Sequence, residues 1–425
     1  LNLLSAVAGS VALALFYLVC GRLCGDRFLA LLATVALGVS HTFWTLSVIT
    51  EVYTFDLLFI LILLLLALRW MERPSAAGGC LICFLFGLGL SDHLMIGLLG
   101  PSLLIAFFLG VVKGRFRLNL VRCSFIVLSL LAGLSPAVAI MAYQLPEGAG
   151  AADLWHSVQV FLNLSGPGSP GFQWSRTAQI ILLVGLNFVG VALLAGAIGV
   201  ARAVAARTAR YTVLLVALGC FYLFPLLHPH VDTYQFCLGG HLMLALFLPL
   251  GFETLQARAK LGRCLLPLVL LVPPLLYAGI PAVTERLGID VTRARSLPHR
   301  SNAWYFLLPP KCLDDGPRRY LEECFEQAAP DAVLVADFTP GMLLTYASVV
   351  EGARPDVDVI TIWEGVERHF QAIDESLGQR PVFVAAAEPE GSKVSRTWYL
   401  FEADLRARYE VVACSPMLEV VRRRD

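Results

Sequence analysis

Ten apolar runs recur along the chain, at roughly residues 2–20, 28–44, 53–70, 78–91, 94–112, 120–142, 178–200, 211–227, 236–253 and 261–280. Each is long enough, or nearly so, to cross the ~30 Å hydrocarbon core of a bilayer as a helix. In hydrocarbon a backbone must satisfy its own hydrogen bonds, so runs of this length commit the chain to a helical bundle rather than to open sheets or loops. The composition agrees: 57% of the 425 residues are hydrophobic and 15% charged, with a mean hydropathy of +0.72, a balance foreign to soluble domains. The runs at 28–44 and 78–91 are short enough to be tilted or broken, and only "SDH" separates 78–91 from 94–112.

The loops between these runs fall into two sets. One holds fourteen basic residues: Arg22, Arg27, Arg69, Arg73, Lys113, Arg115, Arg117, Arg122, Arg202, Arg207, Arg210, Arg258, Lys260 and Arg263. The other, made of 41–52, 91–93, 143–177 and 228–235, holds Arg176 alone. Positive residues stay on the cytoplasmic side, so the first set is expected there, and the second set, residue 1 and everything after about residue 281 outside. A start on the outer face calls for an odd number of further spans upstream, and residue 1 is Leu rather than Met; the true N-terminus is expected to be missing. A formal net charge of zero gives no reason to expect a nucleic-acid partner.

After residue 281 the character changes. Short β-type runs at 332–337, 357–362, 381–387 and 409–414 alternate with helical stretches. They predict a small extracytoplasmic α/β domain over 282–425, beside a membrane domain over 1–281, and no Gly-rich phosphate loop occurs in it. Cys312, Cys324 and Cys414 lie in this tail, where one disulfide could form and leave a thiol over. The remaining cysteines sit in or beside apolar runs as packed thiols; "CLIC" at 80–83 has no second pair to complete a zinc site.

Sorted by side, the polar residues gather on the outer face. His41, His93, His156, His228 and His230 lie at outer helix ends or loops, and Glu51, Asp56, Asp92, Asp153 and Asp232 with them, beside Trp44, Tyr53, Trp155, Trp174 and Tyr234. Interfacial aromatics are ordinary anchors, and the acids could be helix caps. Yet acids inside spans cost on the order of 2.5–3.5 kcal/mol at the helix centre and usually face a cavity or a partner. A helix over 41–53 would put His41, Trp44, Val48 and Glu51 on one face toward the bundle, with Asp56 deeper and Asp92 and His93 brought to the same level from another hairpin. The loop 143–177 carries an amphipathic pattern from Asp153 to Leu164, read as a helix on the bilayer surface, and a glycosylation acceptor "NLS" at 163–165.

The order and spacing of "NLLSAVAGS", Trp44, "EVY" at 51–53 and "GLGLSDH" at 87–93 resemble a family of multi-pass proteins long known only as a domain of unknown function, which includes a vertebrate protein O-mannosyltransferase. Its architecture is similar to the GT-C glycosyltransferases. The resemblance is good over about the first 110 residues and looser beyond. It implies a GT-C-like polytopic helical protein in a bacterial inner membrane or the endoplasmic reticulum, which uses a polyprenyl-phosphate sugar donor outside, with inversion, on a protein or glycan acceptor. The family's aspartate on the first external loop and its His-Pro-Pro-Gly-Tyr-Pro stretch are not in this chain, so the resemblance puts the catalytic base upstream of residue 1. Asp56 and Asp92 stand where the family usually has Asn.

On this reading Trp44, Glu51, Tyr53 and Asp56 form the cavity wall and position donor or acceptor. His93, oriented by Asp92, would contact the phosphate or, as an alternative, a divalent ion; His230 and Asp232 would join them. No other cofactor is called for. The rival class is a transporter or flippase with an acid and histidine relay, against which stand clustering at one face and the lack of an inverted repeat. A third is a noncatalytic assembly protein that binds partners through its tail.

Overall fold

The computed structural model describes residues 2–113, 116–117, 119–145, 150, 152–153, 172–228, 233–259, 264–289, 295, 297–312, 314–363, 365–389, 392, 394, 396–397 and 399–424. The chain divides into two compact units, Leu1–Tyr277 and Ala278–Asp425. The surface-helix pattern and the glycosylation acceptor expected within 153–165 lie outside the described residues, apart from Asp153.

The first unit is a bundle of helices: α1 (Asn2–Cys24), α2 (Arg27–Gly38), α3 (His41–Val48), α4 (Tyr53–Glu72), α5 (Ala76–Asp92), a 3-10 segment (Leu94–Leu99), α6 (Gly100–Val112), α7 (Leu120–Gln144), α8 (Trp174–Asn187), α9 (Val191–Ala206), α10 (Ala209–Leu227), α11 (Thr233–Phe236), α12 (Leu238–Ala245), α13 (Leu248–Ala259) and the first part of α14 (Leu265–Arg286), whose later turns belong to the second unit. Among the described residues six helices are long and apolar enough to cross a membrane, and up to nine spans result if each bent pair counts as one; α5 is a shorter apolar helix. This is an integral, multi-pass membrane protein. Among the described residues each of the ten runs is helical, but three are not single rods. The run 28–44 breaks between α2 and α3 by 64°, 236–253 bends by 46°, and 178–200 turns through 114° between α8 and α9. At that last break Gly190 has φ +60, a conformation that only glycine adopts without strain.

Polar caps start the helices on the Arg-rich side. Asp26 accepts from the backbone N–H of Phe28 and Leu29, Ser75 from Gly78 and Asn119 from Arg122, which satisfies donors that a helix start leaves open. Between helices, glycine allows backbones to touch. A Cβ on Gly87 or Gly133 would come within 2.5 Å of the opposing backbone carbonyl between α5 and α7, and one on Gly199 or Gly251 would do the same between α9 and α13. Close approach of this kind supplies the van der Waals packing that holds helices together where lipid is as apolar as leucine. Phe16, Leu32, Leu37, Leu46, Leu57 and Leu61 fill the centre, whereas Leu104, Phe108, Leu128, Leu131 and Ile140 stay exposed, as a lipid-facing surface requires.

The second unit is a small α/β domain with helices α15 (Asn302–Leu307), α16 (Gly316–Gln327), α17 (Phe338–Val349), α18 (Gly365–Ser376) and α19 (Glu402–Arg408) and strands β1 (Val333–Asp337), β2 (Asp358–Ile362), β3 (Val382–Ala385), β4 (Tyr409–Cys414) and β5 (Met417–Arg423). The sheet order is β2-β1-β3-β5-β4; β1 is parallel to β2 and β3, and β5 antiparallel to β3 and β4. Tyr320, Leu321, Phe325 and Leu344 cover one face, and Phe370, Ile373 and Leu405 the other. With both faces covered, β1 and β3 are buried along their whole length, which is why they read as unbroken apolar runs. The strands foreseen at 332–337, 357–362, 381–387 and 409–414 are present; β5 was not foreseen. The disulfide allowed for in the tail does not form: Cys312, Cys324 and Cys414 are free thiols. Burial pushes the Cys324 thiol up to about 12, so it is an inert packed group.

A candidate active site at one end of the bundle

Helix α3 does not reach Glu51. It ends at Val48, Ile49 is extended (φ -112, ψ 161), and α4 begins at Tyr53. His41, Trp44, Val48 and Glu51 therefore do not share a helical face, contrary to the expectation. The consecutive β-branched residues Val48, Ile49 and Thr50 disfavour another helical turn, and the link has a better partner. Ser5 Oγ donates to the Glu51 carbonyl (3.1 Å) and accepts from the Glu51 N–H (3.3 Å), while Thr54 Oγ1 donates to the Ser5 carbonyl (3.2 Å). The first turn of α1 thus fixes the backbone that presents Glu51. Its carboxylate accepts from Gln235 Nε2 at 3.3 Å, and the same amide donates to Tyr234 Oη at 3.1 Å.

The second half of the site is built from an antiparallel helix hairpin, α4 leaving it and α5 returning to it. His93 sits at the break after α5 in extended conformation (φ -152, ψ 132), with its N–H held by Gly89 O at 2.9 Å. His93 Nδ1 lies 3.0 Å from Asp56 Oδ2, near enough for an ion pair though out of line for a hydrogen bond. The expected orienting group, Asp92, is not the one in contact. Asp56, in the first turn of α4, is buried, and Asp92 is exposed at the helix end, acting on His93 and Asp56 through its charge. His93 has already left the helix that carries Asp92, whereas Asp56 faces it across the hairpin. Tyr53 packs edge-on against the His93 ring, with centroids 5.3 Å apart, and against Phe236 at 6.0 Å.

Glu51, Tyr53, Asp56, Asp92 and His93 are therefore brought together, with Gln235 and Ser5 as members the sequence reading missed. Trp44 stands half-buried on α3, and His41 is buried edge-on against Tyr277 at 5.4 Å, a packing position. His230 and Asp232 lie outside the described residues. No group of three His, Cys, Asp or Glu side chains among the described residues is arranged to hold a metal ion. Chemically, the cluster offers a carboxylate held by an amide, and an imidazole whose negative neighbours are Asp56, Asp92 and Glu51. The opposite end of the same helices carries Arg22 paired with Glu72 at 2.6 Å. Along α1, Ser5 and Arg22 are separated by about 26 Å at the helical rise, close to the ~30 Å of a hydrocarbon core.

Open α/β sheets usually bind ligands at the carboxyl ends of strands where the order reverses, here between β1 and β3 of the second unit. Arg295 fills that place. Its guanidinium bonds Asp337, the last residue of β1, donates to Ala386 O beyond β3 at 2.6 Å, pairs with Glu388, and stacks over Tyr399 at 4.9 Å.

The fold has solved relatives. ArnT from Cupriavidus metallidurans matches at 12% identity over 99% of this chain and 83% of that one, with a TM-score of 0.55 for the apo state and 0.57 for the structure bound to undecaprenyl phosphate. No curated protein matches the chain in sequence. Residues 1–115 match the family described as the protein O-mannosyl-transferase TMEM260 N-terminal domain. The likeness signalled by Trp44, Glu51-Val52-Tyr53 and Asp92-His93 thus has two counterparts: the chain has the GT-C-like fold of ArnT, and its residues 1–115 match the TMEM260 N-terminal domain.

Proposed function

We propose that this chain is a membrane glycosyltransferase that moves a sugar from a polyprenyl-phosphate donor to a hydroxyl of an extracytoplasmic protein or glycan, in the manner of protein O-mannosylation. The observation that carries the reading is the single cluster of Glu51, Tyr53, Asp56, His93 and Gln235 at one end of the bundle, about a bilayer thickness from the basic end. A fold shared with ArnT, solved with undecaprenyl phosphate, supports the donor class, and the match over residues 1–115 supports the reaction class.

In this mechanism a general base takes the proton of the acceptor hydroxyl as its oxygen attacks the anomeric carbon from the face opposite the leaving phosphate; the bond from that carbon to the phosphate oxygen breaks, and charge grows on the phosphate oxygens. His93, held by Asp56, donates to that phosphate; preorganised donors at a developing anion are typically the largest catalytic contribution. Glu51, fixed by Ser5 and Gln235, orients the sugar or acceptor hydroxyls, and Tyr53 forms the wall against which the ring of His93 is held. The filled crevice of the C-terminal unit leaves that unit a structural or acceptor-contacting role.

The full-length protein in liposomes, given a radiolabelled polyprenyl-phosphate sugar and a hydroxyl-bearing peptide, is expected to yield glycosylated peptide. The product should vanish with Glu51→Gln or His93→Ala while the thermal midpoint stays. Proton-coupled uptake with no transferred sugar would replace this reading by a transporter.

A further inference from the structure

A second site lies at the other end of the bundle. A cavity of 360 Å³, within the ~300–1,000 Å³ range of small-molecule sites, opens between the ends of α1, α4 and α6 and the start of α10. Three cations line it, Arg22, Lys113 and Arg210, with one acid, Glu72. Glu72 is already paired with Arg22 at 2.6 Å, and among the described residues Lys113 and Arg210 have no carboxylate partner, so the cavity carries a surplus of positive charge. Thr208, at the start of α10, also lines it, and its buried hydroxyl makes no hydrogen bond among the described residues. The floor is apolar, from Leu23, Leu68 and Leu109.

We infer that this cavity binds a phosphate ester, with Arg22, Lys113 and Arg210 neutralising the anion and the apolar floor receiving what the phosphate is attached to. Several features converge on that class. Lys113 and Arg210, the latter stacked over the Tyr211 ring at 5.0 Å, sit at the level where the basic collar of a bundle meets lipid headgroups, where each such residue strengthens attraction to anionic lipid. Backbone N–H groups at the start of a helix, here α10, are donors suited to phosphate oxygens. A mixed lining, of cations together with Leu23, Leu68 and Leu109, matches an amphiphile better than a sugar. The Glu51 cluster shares no residue with this site, so the inference stands whether or not sugar transfer does.

The test uses the full chain purified in detergent, titrated with dioctanoyl phosphatidic acid, inorganic phosphate, or dioctanoyl phosphatidylcholine while the melting temperature is followed. Phosphatidic acid is expected to raise the melting temperature saturably, and phosphatidylcholine to do so weakly. A response to phosphatidic acid alone assigns the phosphate to a lipid headgroup, and an equal response to inorganic phosphate assigns it to the free ion. The double variant Lys113→Gln/Arg210→Gln, in exposed side chains, should weaken half-saturation at least about fivefold, the factor of about one basic residue at an anionic surface. Glu72→Gln should tighten it by freeing Arg22. Equal effects of phosphatidylcholine and phosphatidic acid, no saturable response to either anion, or unchanged half-saturation in both variants would overturn the inference.

Discussion

Two ionic groups, one in each unit, use similar chemistry to opposite ends. In the C-terminal unit, Arg295, Asp337 and Glu388 are closed off, with side-chain exposures of 7%, 8% and 2%, and the guanidinium is aimed at carboxylates and a carbonyl that all point back at it. In the membrane unit, Asp56 is as buried at 5%, but its partner His93 keeps 26% of its side chain exposed, and Asp92 beside it is exposed. A closed network has spent its hydrogen-bonding capacity on itself and specifies a fold; an open one retains capacity for a ligand. The difference shows why the crevice between β1 and β3, the usual binding place of such a sheet, is the less promising site here.

The comparison breaks most easily at the closed end. Arg295→Met would leave Asp337 and Glu388 facing each other without water, a loss of about 3–5 kcal/mol for a broken buried pair; limited proteolysis within 333–423 should become rapid. Survival of a protease-resistant sheet would show that the network is not structural. At the open end, His93→Ala is expected to cut transfer by about 10²–10³-fold, as for a lost donor at a developing anion, with a thermal midpoint close to that of the parent chain. A large drop in midpoint instead would make His93 a second structural network.

A sharper contrast sets the two carboxylates beside His93 against each other. Asp56→Asn should lower turnover about tenfold, in the range for a group that orients a functional side chain, and Asp92→Asn should change it less; the reverse order would restore Asp92 as the orienting group. The smallest expected effect concerns Lys311, whose ammonium donates to the carbonyls of Tyr305 and Leu308. Burial, partly opposed by Asp314, lowers it from 10.5 to about 8. The folded chain releases this proton at about pH 8 and the unfolded chain at 10.5, so burial of the charge weakens the fold below pH 8. That penalty fades as pH rises between the two values. Lys311→Met should flatten the rise in stability of the C-terminal unit over that window, as read by denaturant melts; an unaltered slope would assign the pH dependence to other groups.

What could be read from sequence follows from which constraints are local. A hydrocarbon layer of fixed thickness imposes run length, so the ten apolar segments are legible; the breaks inside three of them are not, because single residues such as Ser40, bonded back to Leu37 O, and Gly190, at φ +60, redirect the backbone without interrupting the apolar run. Buried β1 and β3 are uniform apolar runs, whereas β5 carries Glu419, Arg422 and Arg423 and reads as a polar terminus. That Glu51, Asp56, Asp92 and His93 sit at one level follows from alternating loops. Which carboxylate touches His93 requires the facing of two helices. Gln235 was overlooked because a neutral amide raises no charge signal; its one cue is a Gln between the aromatic residues Tyr234 and Phe236.

The grip of Ser5 on both backbone groups of Glu51 has a practical corollary. Spectroscopic probes, crosslinkers or affinity handles attached to the opening turn of α1 will report on, and perturb, the Glu51 carboxylate almost as directly as a label on residue 51 itself. Reporters intended to leave that group undisturbed belong near Cys24 and Asp26, at the far end of the same rod.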